Sequence, residues 1–204
     1  MARRTQSERS EQTTTALIQA GTTLFGQHGY ARTSMAAVAA EAGMTTGAAY
    51  HHFDNKVSLF RAVFIRQEQE LAAALAGAAE QAPDTWTAVR DGCHAFLRRC
   101  LDQNLRQIVL RDGPAALGWD TVREIEYHYT LRLLQHGLTA AAADGWIING
   151  DQAIRGHILF GALCEAGMLL ARSDDPDAAL SAVIAETDHF LNALALSRPA
   201  PEPA

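Results

Sequence analysis

Glycine, proline, asparagine and aspartate cut this chain into lengths that suit helices, and no period-two alternation of β-branched residues persists between the cuts. That pattern points to an all-α fold. The first helix is expected from about Ser10 to His28, with Ala16, Leu17, Ala20, Leu24 and Phe25 at helical spacing and Gly29 as its C-terminal cap. Thr33 or Ser34 caps a short helix to about Ala42, Gly43 breaks it, and Thr45 or Thr46 caps another through about His52. Asn55 opens a long helix from Lys56 to about Ala79, and Asp84 caps one from Thr85 to about Asp102. A short stretch from Leu105 to Leu110 precedes a turn at Asp112-Gly113-Pro114 and an apolar loop through Trp119. Helices at about 120–143, 151–172 and 178–196 follow, and the Pro-rich tail 197–204 is expected to be mobile.

A length of 204 residues allows one or two domains, and 48% hydrophobic with 20% charged residues is ordinary for a globular protein. No uninterrupted apolar run is long enough to cross a bilayer, and Met1 to Glu8 lack the apolar stretch of a signal peptide, so no membrane is expected and the location is read as cytoplasmic. The net charge of −6 is unevenly spread. Residues 1–60 carry Arg3, Arg4, Arg9, Arg32 and Lys56 against Glu8, Glu11, Glu41 and Asp54, which leaves twelve basic and nineteen acidic residues elsewhere. Any nucleic-acid contact by this nearly neutral head must lean on directed hydrogen bonds as well as bulk charge. The three cysteines, Cys93, Cys100 and Cys164, form no CxxC pair and read as buried thiols.

The segment from Thr33 to Phe53 places two short helices around a glycine turn. The first has an apolar face of Met35, Val38, Ala39 and Ala42; the second is polar where it begins, and Ala49 and Phe53 pack inward. This is the helix-turn-helix layout, whose second helix enters the DNA major groove. Phe25-Gly26-Gln27-His28-Gly29-Tyr30, then Thr33-Ser34, then Ala39 through Phe53, then Asn55-Lys56 and Leu59 together resemble the TetR family signature over roughly the first third of the chain. The resemblance implies base contacts from Thr46, Gly47 and Ala48, with Thr45 and His51 in the same segment, and backbone contacts from Thr33, Ser34, Tyr50, His52 and Lys56. Thr46 stands where many relatives carry a basic residue, and Val57 where many carry an acidic one. Thymine methyl contacts and DNA shape then become the expected means of readout.

The resemblance further implies a three-helix DNA-binding domain at 10–70 and a helical regulatory and dimerisation domain at 71–196. The expected partners are a palindromic double-stranded operator, a small organic effector and a second copy joined through about 151–172 and 178–196. Polar and aromatic groups inside apolar helices are the pocket candidates: Trp86, His94, Phe96, Trp119, Arg123, Tyr127, His128 and Glu165, with Trp146 and His157 behind them. Each is also an ordinary core or surface residue. No GxSxG, HExxH, P-loop or dinucleotide fingerprint occurs, so no catalytic residue, cofactor or metal is expected. The alternative of an enzyme would have to use His94, His128 and Glu165 as an acid–base set, and a further alternative is an interaction protein that does not bind DNA.

Overall fold

The computed structural model describes residues 6–196, and helices account for the regular structure there apart from one isolated antiparallel bridge between Ile147 and Ala195. The tail at 197–204 lies outside the described residues. The chain forms two compact units: the residues up to Gln69 with Asp102–Ile125, and Glu70–Leu101 with the residues from Glu126 onward. The sequence suggests a single boundary near residue 70; by packing, the segment 102–125 joins the N-terminal unit.

The N-terminal unit begins with α1 (Gln6–His28), α2 (Met35–Glu41), α3 (Thr46–His52) and the first part of α4 (Lys56–Glu80). Its core is Leu17 and Phe25 from α1, Met35, Val38 and Ala39 from α2, Ala49 from α3, and Leu59, Phe60, Val63 and Phe64 from α4. The Phe60 ring meets Phe25 and Tyr30 edge-on, with centroids 5.1 and 4.9 Å away. The expected caps form: Ser34 accepts from Ala37 N–H, Thr45 from Ala48 N–H, and Asn55 Oδ1 from Ser58 N–H while Ser58 Oγ accepts from Asn55 N–H. Gly43, at φ +69, ends α2 with Gly43 N–H on Ala40 O and Met44 N–H on Ala39 O, a left-handed cap that non-glycine residues adopt at a cost.

The expected break at Asp112-Gly113-Pro114 is not a break. Helical backbone runs through α6 (Gln103–Leu105), a π-helical segment (Arg106–Asp112) and α7 (Gly113–Leu117), and it ends at Gly118, where φ is +82. Pro114 is tolerated because it sits in the first turn of α7, where a missing N–H leaves no donor unpaired. Gly113 serves close approach rather than turning: a Cβ there would lie 2.6 Å from Phe64 Cε2. Likewise, a Cβ on Gly26 of α1 would collide with Asn104. The helix expected at 120–143 forms as α8 (Trp119–Glu126), a second π-helical segment (Tyr127–Leu131) and α9 (Arg132–Ala143).

The C-terminal unit packs α5 (Thr85–Arg99), α9, α10 (Gln152–Arg172) and α11 (Pro176–Asn192). Asp84 caps α5 by accepting from the N–H groups of Trp86 and Thr87, and the Thr87 backbone bond leads in holding its carboxyl below the usual range. Asp151 and Asp175 cap α10 and α11 in the same way. α11 stops at Asn192, short of the expected 196, because the following residues turn to pair with the segment before α10: Ile148 N–H donates to Leu194 O and Leu196 N–H to Trp146 O.

The glycines give a paired test. Gly113→Ala forces Phe64 and the Ile108 carbonyl to move and should cost about 1–3 kcal/mol in urea unfolding, as overpacking does. Gly77→Ala, in the interior of α4 with nothing within 4 Å of its Cβ, should raise stability by up to about 1 kcal/mol.

Candidate functional site

α3 is too short to bury much surface, so its two faces divide cleanly. Ala49 is fully buried and Phe53, which follows the helix, nearly so; Thr46, Gly47, Tyr50 and His51 stand exposed at i, i+1, i+4 and i+5. That spacing puts four of the sequence-predicted residues on one outward strip. Thr45 is exposed and holds the start of the helix, Ala48 is half-buried, and the Tyr50 side chain is 50% exposed. The adjacent His51 and His52 rings stand edge-on, 5.6 Å between centroids. His52 leans back: its Nδ1 lies 3.2 Å from Thr14 Oγ1 on α1, which fixes the rotation of α3 against the first helix.

The remaining predicted contacts divide. Ser34 is exposed at the start of α2. Thr33 is 2% exposed, and its hydroxyl donates to Gly29 O at 2.9 Å, so its side chain pins the loop after α1 instead of facing outward. Lys56 Nζ donates to Tyr30 O at 2.9 Å and sits 4.1 Å above the Tyr30 ring, a hydrogen bond and a cation–π contact from one ammonium. The Tyr30 N–H in turn donates to Asp112 Oδ2 at 2.7 Å, and Gln107 Nε2 donates to the same oxygen at 3.0 Å. The sequence reads Asp112 only as a turn residue and gives the Tyr30 side chain no contact of its own. Tyr30 lies inside the family-like motif, whereas the partnership with Asp112 spans 82 residues and has no local signature.

The C-terminal unit contains a cavity of about 120 Å³ with Leu75, Ala79, Val89, Cys93, Phe96 and Phe160 among its walls. Of the sequence candidates only Phe96 lines it. Trp86 is buried; His94 Nε2 pairs with Asp188 Oδ1 at 2.8 Å; Tyr127 and His128 are exposed, the latter edge-on to Tyr129. Trp119 and Arg123 stack on each other, 4.4 Å from guanidinium carbon to ring centroid, and belong to the N-terminal unit. Trp146 is half-buried and His157 exposed. Glu165 is exposed on α10, 3.9 Å from Arg172. His94, His128 and Glu165 thus face different partners, and among the described residues no group of three His, Cys, Asp or Glu side chains can hold a metal. A second, more open hollow of about 430 Å³ runs along α10 and α11, with Leu159, Ala162, Leu169 and Phe190 on its walls.

Burial, with the Asp188 charge adding to it, pushes the Cys93 thiol from its ordinary 9.0 up to about 12. The folded state therefore holds the neutral thiol, and this contribution is full below the unfolded value and is lost as pH rises from about 9 toward 12. Urea unfolding at pH 7 and pH 10 should show a larger alkaline loss of stability in the wild type than in Cys93→Val; equal losses would contradict it.

Residues 86–194 match the family model for the tetracyclin repressor-like C-terminal domain, and residues 17–63 match that for bacterial regulatory proteins of the tetR family. A solved TetR-family transcriptional regulator from Pectobacterium atrosepticum is 30% identical, with 96% of this chain and 100% of that one covered and a TM-score of 0.82. The TetC protein of transposon Tn10 from Escherichia coli is 27% identical over 124 residues, 61% of this chain and 62% of the relative. The probable acrEF/envCD operon repressor of Escherichia coli K12 is 39% identical over 67 residues, 33% of this chain and 30% of that protein. The chain therefore spans less than two thirds of the length of these two curated relatives.

Proposed function

The chain belongs to the TetR family of bacterial regulatory proteins, and we propose that it is a dimeric repressor that binds a palindromic operator through α3 and releases it when a small molecule fills the cavity of the C-terminal unit. The observation that carries this reading is the outward strip of Thr46, Gly47, Tyr50 and His51 on a helix whose opposite side is buried. Small and hydroxyl-bearing residues at the start of α3 suit close approach to base edges, and the Tyr50 hydroxyl and Lys56 ammonium suit phosphate oxygens. An ammonium has three N–H donors, and the bond to Tyr30 O uses one. A DNA-binding protein of this kind works in the cytoplasm.

Dimerisation is supported by what α10 and α11 leave uncovered. Ile154, Ile158, Leu169 and Phe190 are exposed by 58, 68, 54 and 74%, a concentration of large apolar groups that marks an interaction surface. By length and a mean hydropathy of 1.4 α10 would also pass for a membrane span. A helix packed on its own body along one side and on a second copy along the other carries the same composition. Two copies related by a twofold axis present two recognition helices, which read half-sites one DNA turn apart, about 34–36 Å.

Release requires a ligand that binds the two body conformations unequally. α4 offers the covalent route: it begins at Lys56, and Leu75, Ala76 and Ala79 near its other end line the cavity.

Mobility-shift titration against the DNA flanking its own gene tests the DNA-binding half. Tyr50→Phe should weaken binding while melting as the wild type does. Lys56→Ala should weaken binding and lower the salt slope by about one unit, and should also melt below the wild type because it loses the Tyr30 carbonyl bond and ring contact. Unchanged affinity in both would remove these assignments. For the dimer, Leu169→Asp and Phe190→Asp alter side chains already exposed in one chain, so they should yield folded monomers in sedimentation at micromolar concentration. A wild type that sediments as a monomer at that concentration would contradict the operator geometry.

A further inference from the structure

The cavity of the C-terminal unit is defined by what its walls lack. No lysine, arginine, histidine, aspartate or glutamate lines it. Its side-chain polar atoms are the Cys93 thiol, held neutral by burial, and the Thr130 hydroxyl, which donates to Glu126 O at 3.3 Å within its own helical turn. A carboxylate placed there would lose its hydration and meet the like charge of Asp188 beyond the Cys93 wall. An ammonium would lose its hydration with that Asp188 carboxylate outside the wall and already paired with His94. Phe96 and Phe160 stand in the wall at 66° to each other, centroids 6.0 Å apart, and so offer a flat ring both an edge and a face.

Gly92 adds an independent observation. It sits inside α5 with no positive φ, so its backbone does not need glycine, and a Cβ there would meet nothing within 4 Å. The other glycine of the wall differs: a Cβ on Gly137 would lie 2.9 Å from Val89 Cγ2, so close packing accounts for it. Glycine inside a helix is less stable than alanine, and at Gly92 neither conformation nor packing asks for it. What the missing side chain leaves behind is open volume at the cavity. At about 120 Å³ the space is of the same order as an apolar protein cavity of about 150 Å³ that stays dry and accepts benzene.

We propose that this cavity takes an uncharged, apolar molecule about the size of a single aromatic ring, and that Gly92 sets that size; the proposal rests on the effector reading given above. Toluene is the probe, with benzoate and benzylammonium as charged rings of similar size, and melting temperature and titration calorimetry on the full-length protein are the readouts. Toluene should raise the melting temperature in a dose-dependent way, and neither ion should do so at the same concentration. Gly92→Leu should melt at or above the wild-type temperature and bind toluene at least tenfold more weakly; Ala88→Val, in the same wall, makes the same comparison with a smaller side chain. Either ion binding within tenfold of toluene overturns the proposal, as does toluene affinity unchanged in both variants, or the absence of any toluene binding. Operator affinity is measured in parallel. Toluene that binds the cavity yet leaves operator affinity unchanged supports the ligand class while removing the effector reading.

Discussion

The carboxylate of Asp112 takes the backbone N–H of Tyr30, and the carbonyl and ring of Tyr30 take the ammonium of Lys56. Three elements of the N-terminal unit meet at that one residue: the loop after α1, the helical run 103–117 and the start of α4. Gly29 makes the meeting possible. At φ +78 it turns the chain sharply after α1, and a Cβ there would press on Gln107 Nε2 at 3.2 Å and Asp112 Oδ2 at 3.4 Å. Thr33 closes the same loop from the other side through Gly29 O, and its neighbour Ser34 caps α2. The pose of α3 follows from this frame, since α2 packs on α1, the Schellman turn at Gly43 fixes α3 against α2, and His52 returns to Thr14.

What could be read in advance was whatever is written locally. Capping needs a side-chain oxygen beside a helix start, and Ser34, Thr45, Asn55 and Asp84 supply one where the sequence places it. The Gly43 turn and the all-helical class are local in the same sense. Asp112-Gly113-Pro114 misled because a local turn signal there serves distant partners: Asp112 bonds Tyr30, Gly113 admits Phe64, and Pro114 falls where a helix needs no N–H. A π-helical register over Arg106–Asp112 has no sequence period by which to recognise it.

The cavity escaped for the opposite reason. Large or polar side chains among apolar ones are what a linear sequence offers as pocket candidates, and the fold buries Trp86 elsewhere, pairs His94, stacks Trp119 on Arg123 and exposes Tyr127. The walls instead owe their space to Gly92, Ala76, Ala79 and Ala88, residues that look like plain helix formers or plain helix breakers in a linear sequence. Phe96 is legible in the sequence because it is both large and in the wall. A void is a property of several helices together, so it becomes visible only once they are packed.

On the proposed function, two copies of the α3 strip read two half-sites on one face of a DNA duplex. Hydroxyl-radical footprinting of the DNA flanking the gene, with the purified protein at micromolar concentration and low salt, tests it most directly. The expected result is two protected patches on one face of the duplex, one helical turn or about 34–36 Å apart, related by a sequence dyad. A single protected patch, or protection spread evenly along the fragment, would contradict it.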